Sequence, residues 1–180
     1  MNSSLSSICI RLLSRLINMA RLAGLPNHRR NVRRSRRVLR AIRRFREPGM
    51  AARCLCYLRQ VEPMVFEEVV MSALEDAGLL VLRNRSYSGD GGVDGAVWGP
   101  KNGWLAVQVK RYSSHIHRGH LLDFRDVIHR RNFDGGLFVH TGRSGAGAYA
   151  FLPDSGIILL SGERLITLLL QRKLVHWRTR

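Results

Sequence analysis

The stretch Val93-Asp-Gly-Ala-Val-Trp98 is followed by Gly99-Pro-Lys-Asn-Gly103 and then by Trp104-Leu-Ala-Val-Gln-Val-Lys-Arg-Tyr112. The two outer segments are apolar and contain valine and tryptophan, whereas the middle one contains glycine, proline and asparagine. This pattern predicts two antiparallel strands joined by a hairpin connection. If the turn centres on Lys101, Asp94 lies opposite Gln108, and opposed Cβ atoms are roughly 4.5–5.5 Å apart.

Apolar periodicity on both sides of the hairpin predicts an α/β domain. Residues repeat at helical spacing from Pro63 until Gly78, and short continuous apolar runs predict buried strands further along the chain. The expected order is helix, three strands, helix, strand, short helix, strand, helix. The fold class predicted is a mixed central β-sheet flanked by helices. The expected segments are a helix from Pro63, a strand at 79–82, the hairpin, a helix at 121–131, strands at 136–140 and 156–160, and a helix at 163–174.

Positive charge is concentrated in the first third of the chain. The formal net charge is +17, and fifteen arginines but one acidic residue, Glu47, precede Val61. A balance of this kind predicts attraction to polyanions, of which nucleic acid is the commonest. We therefore divide the chain into an arginine-rich N-terminal extension at 1–60, flexible or partly helical, and a nearly neutral globular domain at 61–180.

Several explanations of the extension stay open at this point. Residues 5–25 are apolar but interrupted by arginines, which suits an amphipathic helix, and a leader rich in Arg and Ser also resembles an organellar transit peptide. Met50 and Met64 precede the globular pattern, so part of the extension can equally be an over-extended reading frame. No apolar run approaches the roughly 18 residues that cross a membrane, and no membrane association is expected.

Three polar residues in the hairpin carry the chemistry. Asp94 follows a glycine-rich segment, and Gln108 and Lys110 share one face of a strand because side chains alternate. A carboxylate and an amide oxygen can bind Mg²⁺, which activates water and offsets charge during phosphodiester hydrolysis. Lys110 can orient the water and stabilise charge on phosphate oxygens. Each residue alone would be an ordinary solvated strand end, but their combination predicts a metal-dependent site.

The sequence resembles the Mrr-type restriction endonuclease domains of the PD-(D/E)xK nuclease superfamily. The resemblance is carried by Phe66-Glu67, by the segment Gly89 to Gly95 and by Val107-Gln-Val-Lys-Arg-Tyr112, and it runs from about Pro63 to Leu170. Where the wider superfamily usually has glutamate, this chain has Gln108, as the Mrr-like branch does. The amide oxygen brings no charge, so metal binding would depend more on the acidic residues.

The resemblance also implies a role for each matching residue. Asp94 would be the principal metal ligand, Gln108 the second and the carbonyl of Val109 a further one. Lys110 would position the attacking water, and Glu67 would complete the acidic cluster, although its neighbour Glu68 is an alternative. The implied cofactor is Mg²⁺, with Mn²⁺ as a plausible substitute.

Weaker candidates lie near the hairpin. Arg111, Tyr112 and Arg118 are predicted to contact the DNA backbone, and an ordinary surface position explains them equally. The histidines at 115, 117 and 120 lack the partners of a known zinc motif, so we expect a solvated loop or a helix start.

The function that these features predict is Mg²⁺-dependent cleavage of double-stranded DNA by an endonuclease of restriction type. The alternative is a catalytically silent nucleic-acid-binding module of the same fold. An RNA-binding protein would need aromatic stacking platforms, whereas Trp98 and Trp104 are expected to pack in the core. DNA is the expected partner, a homodimer would suit double-strand cleavage, and the expected location is the cytoplasm of a bacterial-type cell.

Overall fold

The computed structural model describes residues 2–44, 50–87, 92–99 and 103–174. Lys101 and the glycine-rich residues 88–91 lie outside the described residues. The helices are α1 (Asn2–Arg21), α2 (Pro26–Ile42), α3 (Met50–Gln60), α4 (Pro63–Asp76), α5 (Arg118–Arg130), α6 (Ala146–Phe151) and α7 (Gly162–Gln171). The strands are β1 (Leu80–Arg83), β2 (Gly95–Gly99), β3 (Gly103–Lys110), β4 (Gly135–His140) and β5 (Ile157–Leu160).

The five strands form one mixed sheet in the order β1-β2-β3-β4-β5. Strand β2 is antiparallel to both β1 and β3, and β4 and β5 continue the sheet in parallel with β3. The prediction of a mixed sheet flanked by helices is confirmed, and from Pro63 onward the elements follow the predicted order. The amino acid pattern therefore determined both the number and the type of elements in this part of the chain.

The hairpin has the predicted register. Gly95 pairs with Val107 and Trp98 with Trp104, which is the alignment of a turn centred on residue 101. Trp98 and Trp104, however, do not pack in the core: Trp98 is 41% exposed, and the two rings meet edge to face at 5.5 Å. Strand β3 ends at Lys110, two residues earlier than predicted, because the backbone N–H of Tyr112 donates to Thr141 Oγ1 instead of a strand neighbour.

The two faces of the sheet are covered by different helices. Val107 and Val109 belong to the cluster of apolar residues that includes α4 and α7, whereas Ala106 packs with Phe124 of α5 and Phe138 of β4. Because side chains alternate along β3, the residues in phase with Ala106 also face α5. The even-numbered residues of this strand, including Gln108 and Lys110, are thereby assigned to one side of the sheet.

Most of the described part of the N-terminal extension is helical. Helix α1 lies along β1, α2 packs against α4, and α3 contacts α7. Leu39 and Ile42 of α2 are buried in the core beneath the sheet. The division of the chain at residue 60 stays a prediction.

Polar side chains of α1 occupy the outer edge of β1. Ser14 Oγ accepts a hydrogen bond from the Val81 N–H at 3.1 Å, and Asn18 Oδ1 accepts one from the Arg83 N–H at 2.9 Å. Asn18 Nδ2 donates to the Val81 carbonyl at 2.7 Å. Edge strands normally present unpaired backbone groups, and here the side chains satisfy them. Helix α1 is therefore bound to the sheet by directional contacts.

We expect Asn18→Ala to lower the free energy of unfolding by about 1–3 kcal/mol, because it leaves buried backbone groups of β1 without partners. Chemical denaturation monitored by circular dichroism measures this change. The matched control is Met19→Ala, since that side chain is 70% exposed and is expected to have little effect on stability. Equal stability of both variants would show that α1 does not hold the edge of β1.

No helix in the described part of the chain is long and apolar enough to cross a membrane.

Candidate active site

Asp94 is held at the start of β2 by contacts with β3. Its backbone N–H donates to the Val107 carbonyl at 2.8 Å, and its Oδ2 atom accepts a hydrogen bond from the Val109 N–H at 2.6 Å. The first contact is one residue out of the β2–β3 register, in which Gly95 pairs with Val107, and the second brings the carboxylate to the backbone between Gln108 and Lys110. Asp94 is half-buried. Its carboxylate is thus fixed beside the C-terminal end of strand β3.

Gln108 is a buried amide with an unsatisfied oxygen. Gln108 is 6% exposed, and its Nε2 atom donates a hydrogen bond to the Gly92 carbonyl at 2.6 Å. The Oε1 atom has no hydrogen-bond partner among the described residues. A buried acceptor without a partner normally costs about 1–3 kcal/mol. Such an oxygen, directed by the contact to Gly92, is suited to bind a cation.

Gly92 is required where Gln108 contacts the loop. It has a φ of +85°, and a Cβ atom there would collide with the Gln108 amide nitrogen. A side chain at this position would therefore be strained and would displace the amide. Gly92, two residues before Asp94, therefore helps to orient the Gln108 amide.

Lys110 lies on the same side of the sheet as Gln108. It is half-buried at the end of β3, and its partner in the parallel register is His140 at the end of β4. Gln108 and Lys110 share one face of β3, and the Asp94 carboxylate reaches the backbone N–H of Val109 between them. The metal-binding and catalytic roles of the three residues stay predictions.

The two glutamates of α4 face different surroundings. Glu68 is buried, receives a 2.7 Å hydrogen bond from Arg83 Nε and accepts another from the Tyr87 hydroxyl at 3.2 Å. Glu67 is half-buried and precedes Met71 by four residues, so both lie on one face of the helix. The Met71 methyl group packs against Gly95, next to Asp94. Glu67 thus lies on the helix face that packs near Gly95, and its role as a ligand stays a prediction, whereas Glu68 is part of a structural ion pair.

Among the described residues no cluster of three His, Cys, Asp or Glu side chains could hold a metal ion. This agrees with the composition of the site, in which one of the two central ligand candidates, Gln108, is an amide. Val109, predicted to contribute its carbonyl, contacts Asp94 through its N–H group. This contact does not involve the Val109 carbonyl, so the contribution of the carbonyl to metal binding stays a prediction.

A family model described as restriction endonuclease matches residues 58–169, which is more than half of the chain. The chain belongs to this restriction endonuclease family. The match begins in α3 and ends in α7, and it includes the hairpin and every candidate residue of the site. Searches of curated proteins and of solved structures each gave no match.

Two further side chains of this restriction endonuclease domain lie beside Lys110. Burial lowers the pKa of His120, and the positive charge of Lys110 contributes in the same direction. The Tyr112 hydroxyl forms a hydrogen bond with His120 Nδ1. Our interpretation of the three histidines as loop or helix start is confirmed for His117, whose side chain accepts from the Gly119 N–H at the start of α5. Nothing in the sequence indicated that His120 lies close to Lys110, because this proximity depends on the position of α5.

His140 is a buried neutral group at the same edge. It is fully buried at the end of β4, and burial lowers its pKa to about 4. Its Nδ1 atom accepts from the Gly142 N–H at 3.1 Å, which leaves the proton on Nε2, 3.1 Å from Ser144 Oγ. His140 thus orders the loop after β4. No isolated sequence signal distinguishes this residue from an ordinary strand end.

The three residues predicted to contact DNA differ in how exposed their side chains are. Arg111 is exposed and donates to the Arg59 carbonyl at 2.9 Å, and Arg118 is exposed with its guanidinium 5.8 Å from the Phe151 ring centre. Tyr112 is half-buried, and burial raises its pKa to about 12, so its hydroxyl stays protonated. The two arginines lie at the surface near the site, whereas the Tyr112 side chain is directed inward to His120.

Proposed function

We propose that this protein is a Mg²⁺-dependent endonuclease of restriction type that hydrolyses phosphodiester bonds in double-stranded DNA. The observation that carries the proposal is the unsatisfied, buried Oε1 atom of Gln108, on the strand face that also carries Lys110 and next to Val109, whose N–H holds the Asp94 carboxylate. A buried acceptor without a partner needs an explanation in a native protein. A divalent cation between the amide and the carboxylate provides one.

The residues present are suited to a hard cation such as Mg²⁺ or Mn²⁺. Such cations prefer oxygen ligands, and Asp94 and Gln108 offer a carboxylate and an amide oxygen. When bound, the ion would supply Lewis acidity to the phosphate and lower the pKa of water. Asp94 would contribute the negative charge that retains the ion, and Glu67 of α4 would add a second carboxylate.

Lys110 would act on the nucleophile and the phosphate. Its amine extends from the same strand face as Gln108, two residues further along. A protonated amine there would orient the attacking water and stabilise the negative charge that develops on the phosphate oxygens. His120, adjacent to Lys110, lies where a proton could be exchanged with the reacting groups.

Incubation of the purified protein with supercoiled plasmid tests the proposal. We expect nicked and linear products with Mg²⁺ or Mn²⁺ and intact plasmid with EDTA. A homogeneous preparation that leaves the plasmid intact with both ions, while binding it, would overturn the nuclease proposal. It would favour the alternative of a silent nucleic-acid-binding module, for which the neutral Gln108 is the structural argument.

Metal binding can be tested without DNA. We expect saturating Mn²⁺ or Mg²⁺ to raise the melting temperature of the protein, because at 100 times the Kd a ligand stabilises by about 2.7 kcal/mol. For a domain of this size that corresponds to roughly 5–10 °C. Gln108→Leu should reduce the shift, and Asp94→Asn should reduce it further. A wild-type shift retained by both variants would place the cation elsewhere.

We also propose DNA as the partner and the cytoplasm of a bacterial-type cell as the location, since both follow from a nuclease of restriction type. A homodimer would allow paired cuts on the two strands. Size-exclusion chromatography with light scattering measures that state directly.

A further inference from the structure

The outer face of α2 carries a dense row of exposed arginines. At 3.6 residues per turn they lie within an arc of about 100°. The side chains buried against the domain lie on the opposite face, from His28 to Ile42. The row consists of Arg29, Arg30, Arg33, Arg37 and Arg40.

Helix α2 is fixed to the domain by its inner side. Ser35 Oγ lies 3.1 Å from Ser72 Oγ of α4, and Arg36 and Arg43 form ion pairs with Asp76 at 2.5 and 2.7 Å. Arg43 also donates to the Leu169 carbonyl of α7 at 2.8 Å. These contacts anchor the helix, so its outer face is presented in a defined orientation.

The outer arginines are not used in this anchoring. Within the described ranges, none of the five has a carboxylate partner, and Arg40 contacts only the Arg36 carbonyl, one turn earlier. Like charges so close together repel each other at i and i+4 positions. Five unpaired guanidinium groups on one face are therefore unfavourable unless an anion binds there.

The spacing of the charges suits a nucleic acid backbone. From Arg29 to Arg40 the helix rises about 16 Å at 1.5 Å per residue, which gives one charge for roughly every 3–4 Å. One strand of B-DNA carries one phosphate for each 3.4 Å of its axis. The arginine row and a phosphate row thus have comparable linear charge density.

The arginine row begins beside Tyr87, in the segment that follows β1. His28, at the start of α2, stacks on Tyr87 with ring centres 3.9 Å apart. Tyr87 precedes the glycine-rich segment that leads to Asp94. Arg30 and Arg85 line one groove together with Tyr87. The first arginines of the row thus lie beside the segment that follows β1.

We infer that the arginine row of α2 is a binding surface for the phosphate backbone of duplex DNA, independent of base sequence. The inference rests on the proposed function and extends it, because it assigns substrate retention to a helix that the hairpin motif does not include. An anionic membrane is the less suitable partner. Peripheral helices insert an apolar face. The large exposed hydrophobic side chains of the N-terminal helices α1 and α2 lie on α1 (Ile8, Leu12, Leu13, Leu16 and Met19), so the arginine row itself has no apolar face to insert.

Binding of a short fluorescent DNA duplex by the full chain in EDTA tests the inference. We expect the triple variant Arg29→Gln/Arg33→Gln/Arg37→Gln to bind at least about 10-fold more weakly at 0.1 M salt and to lower the slope of log K against log salt by about 2–3. The matched control Arg130→Gln/Arg131→Gln/Lys173→Gln removes the same charge from exposed positions at the end of α5 and after α7. It should bind almost as the wild type does. The triple Arg→Lys variant should retain the salt slope.

Each outcome has a defined consequence. Equal weakening by the α2 variant and the control, or no weakening by either, would overturn the inference. Loss of binding to phosphatidylserine vesicles with unchanged DNA binding would overturn it in favour of a membrane. Melting curves of all variants exclude unfolding as the cause. Because EDTA prevents metal-dependent cleavage, arginine-dependent binding by a protein that never cuts plasmid would refute only the nuclease proposal.

Discussion

Asp94→Asn is expected to reduce plasmid cleavage by roughly 1,000-fold, the largest effect of any single substitution in this protein. A catalytic cation contributes several kcal/mol to the transition state, and each 1.36 kcal/mol is a factor of ten in rate. Asparagine retains an oxygen that can accept the Val109 N–H, so the local fold should persist, but it removes the charge that retains the cation. Single-turnover cleavage of plasmid at saturating protein measures this effect.

The control for Asp94 is Asp126→Asn on the exposed surface of α5, which makes the same chemical change at a residue whose side chain is 59% exposed. We expect wild-type cleavage from this variant. DNA binding by Asp94→Asn in EDTA should match the wild type, because the substitution leaves the basic surfaces intact. Cleavage by Asp94→Asn within a factor of about ten of the wild type would refute the assignment of Asp94 as the metal ligand.

Lys110→Met is expected to reduce cleavage by about 100-fold to 1,000-fold while metal binding is retained. The loss corresponds to removal of one charged donor from a developing oxyanion. Methionine preserves much of the apolar stem that covers β3, so the substitution isolates the ammonium group. Plasmid cleavage and the Mn²⁺-induced melting shift, measured on the same preparation, separate catalysis from metal binding.

Lys173→Met after α7 is the matched control for Lys110, since it removes an exposed lysine after the last helix. It should cleave as the wild type does. A second readout is the pKa of His120 by NMR. The charge of Lys110 lowers this pKa, so Lys110→Met should raise it. An unchanged His120 titration would contradict the proximity of the two side chains, and unchanged cleavage would remove Lys110 from the catalytic role.

The hairpin was predictable from sequence because local rules determine it. Alternation assigns the faces of β3, and the length of the connection between Trp98 and Trp104 sets the register of β2 on β3. The one-residue shift at Asp94, whose N–H donates to the Val107 carbonyl, does not follow from that register. The domain helices and buried strands follow from apolar periodicity in the same way. Boundaries differed by one to three residues, as at α5, which begins at Arg118 and not at Leu121. Its first turn contains no apolar residue before Leu121.

The packing of the N-terminal helices could not be predicted in this way. The inner face of α2 contains His28, Asn31 and Ser35, which are polar and give no apolar stripe. Their burial depends on partners in α4 and near Tyr87, far along the chain. Likewise, the approach of His120 to Lys110 follows from how α5 packs on the sheet. Long-range polar complementarity leaves no periodic signal in a single sequence.

The contacts of Ser14 and Asn18 with β1 have a consequence for how two copies could assemble. Since side chains of the same chain already saturate this border strand, a second subunit cannot extend the sheet there by strand addition. A dimer that cuts both DNA strands must associate through helices, loops or the β5 border. Both catalytic centres would then be oriented by that contact and not by a shared continuous sheet.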